Sequence, residues 1–434
     1  MSLPQAASLV MVMGGQRIGE VFQESNRLRL LYDSQWRLRL RATPVSLSMP
    51  LGLQEHGDEV VRPFLWGLLP DNQSVLERWG REYHISPRNP FALLQHVGED
   101  CAGAVQFVLP QRFDPIARRE GGVRWVSDAW VAEKIKLLRS DPSAWHLSRE
   151  TGRFSLAGAQ AKTAILYDPV NDAWGEPFGA VPTTHIIKPA ISGLDDHDLN
   201  EHLCLTAARS AGITAANSAI HAFAGERVIV VERYDRTRRP EGTVERIHQE
   251  DFCQATGTDP TGKYQSEGGP SPERIVQVLR ESVRPVLAAD RDIASFVNAL
   301  AFNWIAAGTD AHAKNYSLLL AGSQVRLAPL YDLASALPYE DMYAPKLKMA
   351  MKIGGEYRAA AVTGRHWRKF AEAAGLDPET VVAQVVRLAE QLPAAFAHAA
   401  EDPRVLELGS SLPERLSAKA KERAGHCLRQ LVGK

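Results

Sequence analysis

Between Gly308 and Ser335 an acid, a carboxamide and a second acid follow one another in an order suited to metal-assisted phosphoryl transfer. The first stretch reads Gly308-Thr309-Asp310-Ala311-His312-Ala313-Lys314-Asn315-Tyr316-Ser317, the second Leu330-Tyr331-Asp332-Leu333-Ala334-Ser335. Moving a phosphoryl group asks little covalent chemistry of a protein. It asks for a group that orients or deprotonates the attacking hydroxyl, and for hard oxygen ligands to a divalent cation. Asp310 suits the first task; Asn315 and Asp332 suit the second. Any one of them alone reads as an ordinary polar loop residue. Together, directly after an apolar helix, they read as a site. His312 is expected to hold the loop through its ring nitrogens rather than to carry a proton. Lys314 has two readings, neutralising charge on the transferred group or standing solvated.

Three further stretches gain meaning beside that one. In Phe154-Ser155-Leu156-Ala157-Gly158-Ala159-Gln160-Ala161-Lys162-Thr163 the small residues let backbone amides approach an anion. It is not a Walker A loop, because no glycine precedes Lys162. Lys188 ends the apolar run His185-Ile186-Ile187, and an ammonium there either reaches phosphate oxygens or snorkels to solvent. Glu201, on the next helix, is a candidate partner for it. Val230-Val231-Glu232-Arg233-Tyr234-Asp235-Arg236 is a strand with a charged end, where Glu232 and the main chain at Tyr234 are placed to hold a nucleobase. Protein kinases order their parts this way: phosphate loop, strand lysine, connector, then an Asp with an Asn five residues on and a metal-binding Asp beyond a hairpin.

The elements that must position these residues follow from pattern. Strands are expected at Ala7 to Met13, Arg27 to Tyr32, Val45 to Met49, Ala164 to Tyr167, His185 to Lys188 and Arg227 to Glu232. Asp168 to Pro182 reads as a loop, and the Arg-rich stretch Gln111 to Gly122 as a linker. Helices are expected at Ser74 to Tyr83 with Asp71 or Ser74 as cap, at Pro90 to Val97, and at Asn200 to Ala211 closed by Gly212. Asp292 to Ala307 puts Ile293, Phe296, Val297, Leu300, Trp304 and Ile305 on one face. Trp367 to Ala374, Pro378 to Gln391 and Pro413 to Val432 complete the helical part. The expected organisation is residues 1–110 as a small mixed subdomain, 111–235 as a strand-rich lobe and 236–434 as a helical lobe carrying the acids.

Composition sets the outer bounds. The chain has 434 residues, 45% of them hydrophobic, enough for two or three packed domains. Its net charge of -1, from 50 basic and 51 acidic residues, gives no reason to expect nonspecific nucleic-acid binding by the whole chain. Cys101, Cys204, Cys253 and Cys427 are scattered, with no zinc spacing, and are expected to be buried thiols. No signal peptide or membrane span is legible, and a cytoplasmic protein is expected.

These residues resemble the HipA-like serine/threonine kinases, toxin components of bacterial type II toxin–antitoxin systems. Ser155 to Thr163 is similar to the family's SLAGAQxKT loop, and His185-Ile186-Ile187-Lys188-Pro189 and Asn200-Glu201-His202 to its HIxKP and NEH segments. Val231 to Arg236 resembles VERFDR. Ile247 to Phe252, Lys263-Tyr264 with Gly268-Gly269-Pro270, and Asp310 to Ser317 resemble HQEDF, KYxxxGGP and DGHAKNFS. Leu47 to Pro50, Leu68 to Asp71 and Gly98 to Ala104 resemble the family's N-terminal subdomain.

The resemblance implies an α+β, two-lobed, protein-kinase-like fold with a small N-terminal subdomain and a helical C-terminal lobe. It implies Asp310 as base, with His312 and Lys314 beside it, and Mg²⁺ on Asn315 and Asp332. ATP phosphates would lie under Ser155, Ala157, Gly158, Ala159, Gln160 and Lys162 and against Lys188, with adenosine framed by Glu232, Tyr234, Gln254 and Tyr331. Ser155 would be the autophosphorylation site. The implied partners are a HipB-like helix-turn-helix antitoxin, operator DNA reached mainly through it, and a protein substrate such as an aminoacyl-tRNA synthetase, with no membrane. Ala311 stands where the family has glycine, a modest cost if φ is positive there. Tyr234 and Tyr316 stand where it has phenylalanine, tolerable where the ring edge is exposed. Two other classes fit parts of the pattern: a metal-dependent phosphoesterase using Asp310, His312, Asn315 and Asp332, and a catalytically silent fold kept to bind a repressor.

Overall fold

A computed structural model describes residues 7–146, 154–342 and 346–433. The chain divides into two compact units. One holds the residues up to Pro189 together with Ala222–Pro260 and Leu319–Gln324; the other holds Ala190–His221, Thr261–Leu318 and Val325 onwards.

The first unit contains two large antiparallel sheets and a short two-stranded one, Arg236–Arg238 with Val244–Arg246. In one, the strands run in the order Glu55–His56, Arg27–Tyr32, Gln16–Glu24, Ala7–Met13, Gln106–Val108. Leu9, Met11, Val21, Leu28 and Leu30 face inward by the period-two rule and meet Val61, Phe64, Leu65, Trp79, Leu93 and Leu94. Those come from the helices Asp58–Gly67, Gln73–Tyr83 and Pro90–Val97. The cap of the second helix is Asn72, whose side chain accepts from Ser74 N, and not Asp71 or Ser74. Val45 to Met49 is a turn rather than a strand. The Tyr32 hydroxyl accepts from Val45 N at 2.8 Å and donates to Met49 O at 2.7 Å, drawing both ends to one point.

The second sheet runs Ser218–Phe223, Glu226–Glu232, His185–Lys188, Thr163–Asp168, Ala173–Gly179, Gly121–Val126. Two of these strands lie where the sequence reads as loop and linker. Glycines and a proline mask the Ala173–Gly179 alternation, yet Gly175 is what the pairing needs. A Cβ on Gly175 would overlap the Val123 side chain across the ladder. The helix Asp128–Ser140, capped by Ser127, packs Val131, Ala132 and Ile135 on Ile165, Ile187, Val228 and Val230.

In the second unit the helix Ala289–Ile305 is the buried axis. His197–Ser210, Gly364–Ala373 and Leu412–Val432 pack around Pro378–Ala400, which runs on through Pro393, well past the expected end. All four cysteines are buried thiols. Among the described residues no helix is long and apolar enough to cross a membrane.

One buried carboxyl of the first unit makes a pH prediction. Glu250 is fully buried, accepting from Leu47 N at 2.8 Å and hydrogen-bonded to Ser46 Oγ. Burial pushes its pKa up from 4.5 to about 8, against the two hydrogen bonds that lower it. The folded state therefore binds this proton more tightly than the unfolded chain. Its stabilising contribution is complete below pH 4.5 and is lost as pH rises through about 8. Glu250→Gln, which carries no charge at any pH, is expected to lose less thermal stability than the parent between pH 6 and 9. Parallel melting curves across that range would contradict the assignment.

Candidate active site

The phosphate-loop candidate is anchored at its start and strained in its middle. Phe154 and Leu156 are buried in the core of the N-terminal sheet and its helices. Phe154 pairs with Asp100 as an isolated bridge, and Ser155 N donates to Asp100 O at 3.1 Å. The Ser155 hydroxyl is fully buried and donates to Leu68 O at 2.7 Å. Further along, Asp71 N donates to Gly158 O at 3.0 Å and Asn72 Nδ2 to Ala159 O at 3.3 Å. Gly158 has φ +104°, and a Cβ there would sit 2.5 Å from Lys162 Nζ. The positive φ favours glycine, while the Lys162 ammonium, at the end of a flexible chain, is free to shift from a Cβ. Lys162 Nζ donates to Ala157 O at 2.8 Å and lies over the Trp145 ring, 5.5 Å from its centroid. Gln160 Nε2 donates to Pro189 O at 3.1 Å, tying the loop to the end of the strand that carries Lys188.

Lys188 is buried and faces Ile229 across the ladder. Glu201 is buried in the helix His197–Ser210 of the second unit. Glu232 is exposed at the end of its strand, opposite His185. Burial pushes the His185 imidazole down to about 4, with Glu232 opposing. The Tyr234 hydroxyl donates to Gln249 Oε1. Gln254 is occupied structurally: its Oε1 accepts from Asp251 N at 3.0 Å and its Nε2 donates to Phe64 O at 3.0 Å, completing a capping box.

Around the connector lies a charge cluster that no single stretch announces. Asp100 and Asp235 face Arg233, Arg236 and Arg246. Arg236 Nη2 lies 2.9 Å from Asp100 Oδ1, and its Nη1 donates to Gly103 O at 2.9 Å. Arg233 forks onto Asp235 at 3.0 and 2.8 Å and donates to Thr183 Oγ1 and Cys101 O. Burial alone would raise the Asp100 carboxyl, but Arg236, Arg246 and Arg233 outweigh it and hold the group well below the carboxylate range. The segment Gly98 to Ala104 is thereby locked to the connector.

In the second unit the acids sit on two braced loops. Gly308 N donates to Asn303 O at 2.7 Å, and a Cβ on Gly308 would overlap Asn303 Oδ1, so the chain leaves the helix at a glycine. Asp310 is exposed. Its backbone carbonyl accepts from His312 N and from Asn315 Nδ2, both at 2.8 Å. That engages the Asn315 amide nitrogen, so Oδ1 is the side-chain atom that could face a cation. Asp310 Oδ1 accepts from the Tyr264 hydroxyl at 2.5 Å. The Tyr264 ring stands edge-on to His312, centroids 5.0 Å apart. His312 and Lys314 are both buried, so the solvated reading of Lys314 does not hold.

The Tyr331 hydroxyl donates to Lys314 O at 2.6 Å and meets Ser317 Oγ at 2.6 Å, pinning the second loop to the first. Asp332 follows with φ +57°, a left-handed conformation that Asp tolerates better than most residues and that recurs at functional loops. Beyond it, Asn200 clamps Ser335 through both amide atoms, at 2.8 and 3.1 Å. Ala311 lies outside the positive-φ region, which belongs instead to Ala307, so the replaced glycine carries no backbone cost. Tyr316 is buried, not edge-exposed; its hydroxyl is accommodated because Asn303 Nδ2 donates to it at 3.1 Å.

No group of three or more His, Cys, Asp or Glu suited to a metal occurs among the described residues. Two oxygen ligands, Asn315 Oδ1 and Asp332, fit Mg²⁺ all the same, since that ion keeps several waters and takes substrate phosphate oxygens as further ligands.

Within the second unit, a buried helix leading into a braced loop with Asp310 and Asn315, and a left-handed Asp332 beyond it, is an arrangement suited to a phosphotransferase of the kinase class. Residues 154–396 match the HipA-like C-terminal domain and residues 9–108 the HipA N-terminal domain. The chain belongs to this family. It is 34% identical over 400 residues to the Sinorhizobium fredii protein Y4mE, which carries a kinase name, covering 92% of this chain and 93% of that one. It is 29% identical over 417 residues to the Shewanella oneidensis serine/threonine-protein kinase toxin HipA, covering 92% and 90%. The solved complex of Shewanella oneidensis HipA with HipB and its operator DNA contains a chain that superposes with TM-score 0.79 at 27% identity, covering 97% of each. The protein is a serine/threonine kinase of α+β fold.

Proposed function

We propose that this kinase is ATP- and Mg²⁺-dependent and serves as the toxin of a HipBA-type module in the cytoplasm. The supporting observation is the braced pair of loops carrying Asp310, Asn315 and Asp332, on a chain that matches its family along almost its whole length. In this reading Asp310 takes up the proton of a seryl hydroxyl. Asn315 and Asp332 hold Mg²⁺, which neutralises phosphate charge when bound. Ser155 to Lys162 cover the phosphates, Lys188 and Lys314 offset their charge, and Glu232 and Tyr234 hold the adenine. Gln254 and Tyr331 contribute to that pocket through packing, because their polar atoms are already engaged. A HipB-like antitoxin carries the complex to operator DNA, and the cellular substrate is a protein such as an aminoacyl-tRNA synthetase.

Ser155 is the autophosphorylation site in this reading. Its buried hydroxyl cannot be modified where it lies, so Phe154 to Leu156 must first leave the N-terminal core. A phosphoserine carries close to two negative charges and cannot return to an apolar pocket, so the modified loop stays away from ATP. The test is the intact mass of the purified chain with and without Mg-ATP, followed by peptide mapping. One added phosphate on Ser155 is expected, and none in Asp310→Ala. Incorporation at other residues alone would remove Ser155 from the proposal.

A further inference from the structure

We propose that Tyr264 is a positioning residue for the transfer step, holding the Asp310 carboxylate so that one oxygen is kept for the incoming hydroxyl. The inference rests on the reading of Asp310 as the base. An exposed aspartate on a loop has two side-chain torsions free to wander, and each rotamer aims its oxygens elsewhere. Here Oδ1 is taken by the Tyr264 hydroxyl at 2.5 Å, and Oδ2 makes no hydrogen bond among the described residues. The carboxylate is thus fixed at one oxygen and open at the other, as an acceptor must be.

Tyr264 is itself held in place. Its backbone carbonyl accepts from Glu267 N at 2.9 Å and from Gly269 N at 3.0 Å. Gly269 permits that turn, since a Cβ there would lie 2.6 Å from both Gly262 O and Lys263 O. On either side, Lys263 O accepts from Ala313 N at 3.3 Å and Gln265 Oε1 from Lys352 N at 2.7 Å. The ring rests edge-on against buried His312. The segment therefore grips the Asp310 loop at backbone, ring and hydroxyl together. A base held by a partner that does not itself react is the logic of an oriented catalytic dyad.

A competing consequence of the same contact is blockade: a tyrosine hydroxyl on the base stands where a substrate hydroxyl would go. The two differ in sign. Tyr264→Phe keeps the ring contact with His312 and removes only the hydroxyl, so folding should be preserved. The assay is phosphate incorporation from Mg-ATP into the chain itself, giving the rate constant at saturating ATP and the ATP concentration for half that rate. We expect the rate constant to fall about 10- to 100-fold, the cost of a misplaced reacting group. Half-saturating ATP and melting temperature should be unchanged.

A rate equal to or above the parent's, or a change confined to half-saturating ATP, would overturn the proposal; a raised rate would mark Tyr264 as a blocking residue. Asp310→Ala is run in the same assay. Should it retain activity, or should the parent incorporate no phosphate, the reading of Asp310 as base fails and the proposal falls with it. Loss of activity in Asp310→Ala with none in Tyr264→Phe sinks the positioning role alone.

Discussion

Asp310→Ala is expected to lose phosphate transfer by about 10²- to 10⁴-fold, the usual worth of a placed general base, while its melting temperature stays with the parent's. The two halves of that expectation come from different atoms. The loop is held through the Asp310 backbone carbonyl, which accepts from His312 N and Asn315 Nδ2, and alanine keeps that carbonyl. The side chain is exposed and supports no core contact. Its carboxylate is the group proposed as base, and it holds the Tyr264 hydrogen bond. Transfer rate and thermal melt measured on one preparation separate the two. A variant that transfers phosphate within a few-fold of the parent would move the base elsewhere.

Asp100→Ala should produce the largest loss of stability. It removes one of two carboxylates from among Arg233, Arg236 and Arg246, leaving Arg233 and Arg236 to share Asp235 and taking from Arg246 its carboxylate partner. Breaking a buried ion cluster from one side costs about 3–5 kcal/mol, because the remaining charges keep their desolvation penalty without its compensation. On a unit of this size that is a fall of roughly 6–20 °C in the first melting transition. Arg233 and Arg236 flank Tyr234, so weaker ATP binding should accompany it. A shift below about 2 °C would mean that the cluster relaxes or admits water at little cost.

Much of the scaffold was legible because it is local. The run Ile293, Phe296, Val297, Leu300, Trp304 repeats with the helical period and is buried as a helix. The apolar strand Val228 to Val231 and the Lys188 strand pair as neighbours. What escaped reading has a physical cause in each case. Ala173–Gly179 breaks alternation with glycines, of which Gly175 is required by the Val123 side chain of the neighbouring strand. Val45 to Met49 alternates like a strand but is bent by the distant Tyr32 hydroxyl. Pro378–Ala400 passes Pro393 because helices packed on either side sustain it.

The sequence by itself pointed to the kinase family, through the order Asp310, Asn315, Asp332, the small-residue loop Ser155 to Lys162 and the strand lysine Lys188. These are side-chain types at short spacings, readable without coordinates. Only the tertiary structure decided how those groups are held. It put the Ser155 hydroxyl on Leu68, Tyr264 on Asp310, and Asp100 on Arg236 across 136 positions. Hydrogen bonds between residues so far apart leave no period and no local propensity in the chain. They exist only once packing has excluded water and brought donor and acceptor within 3 Å.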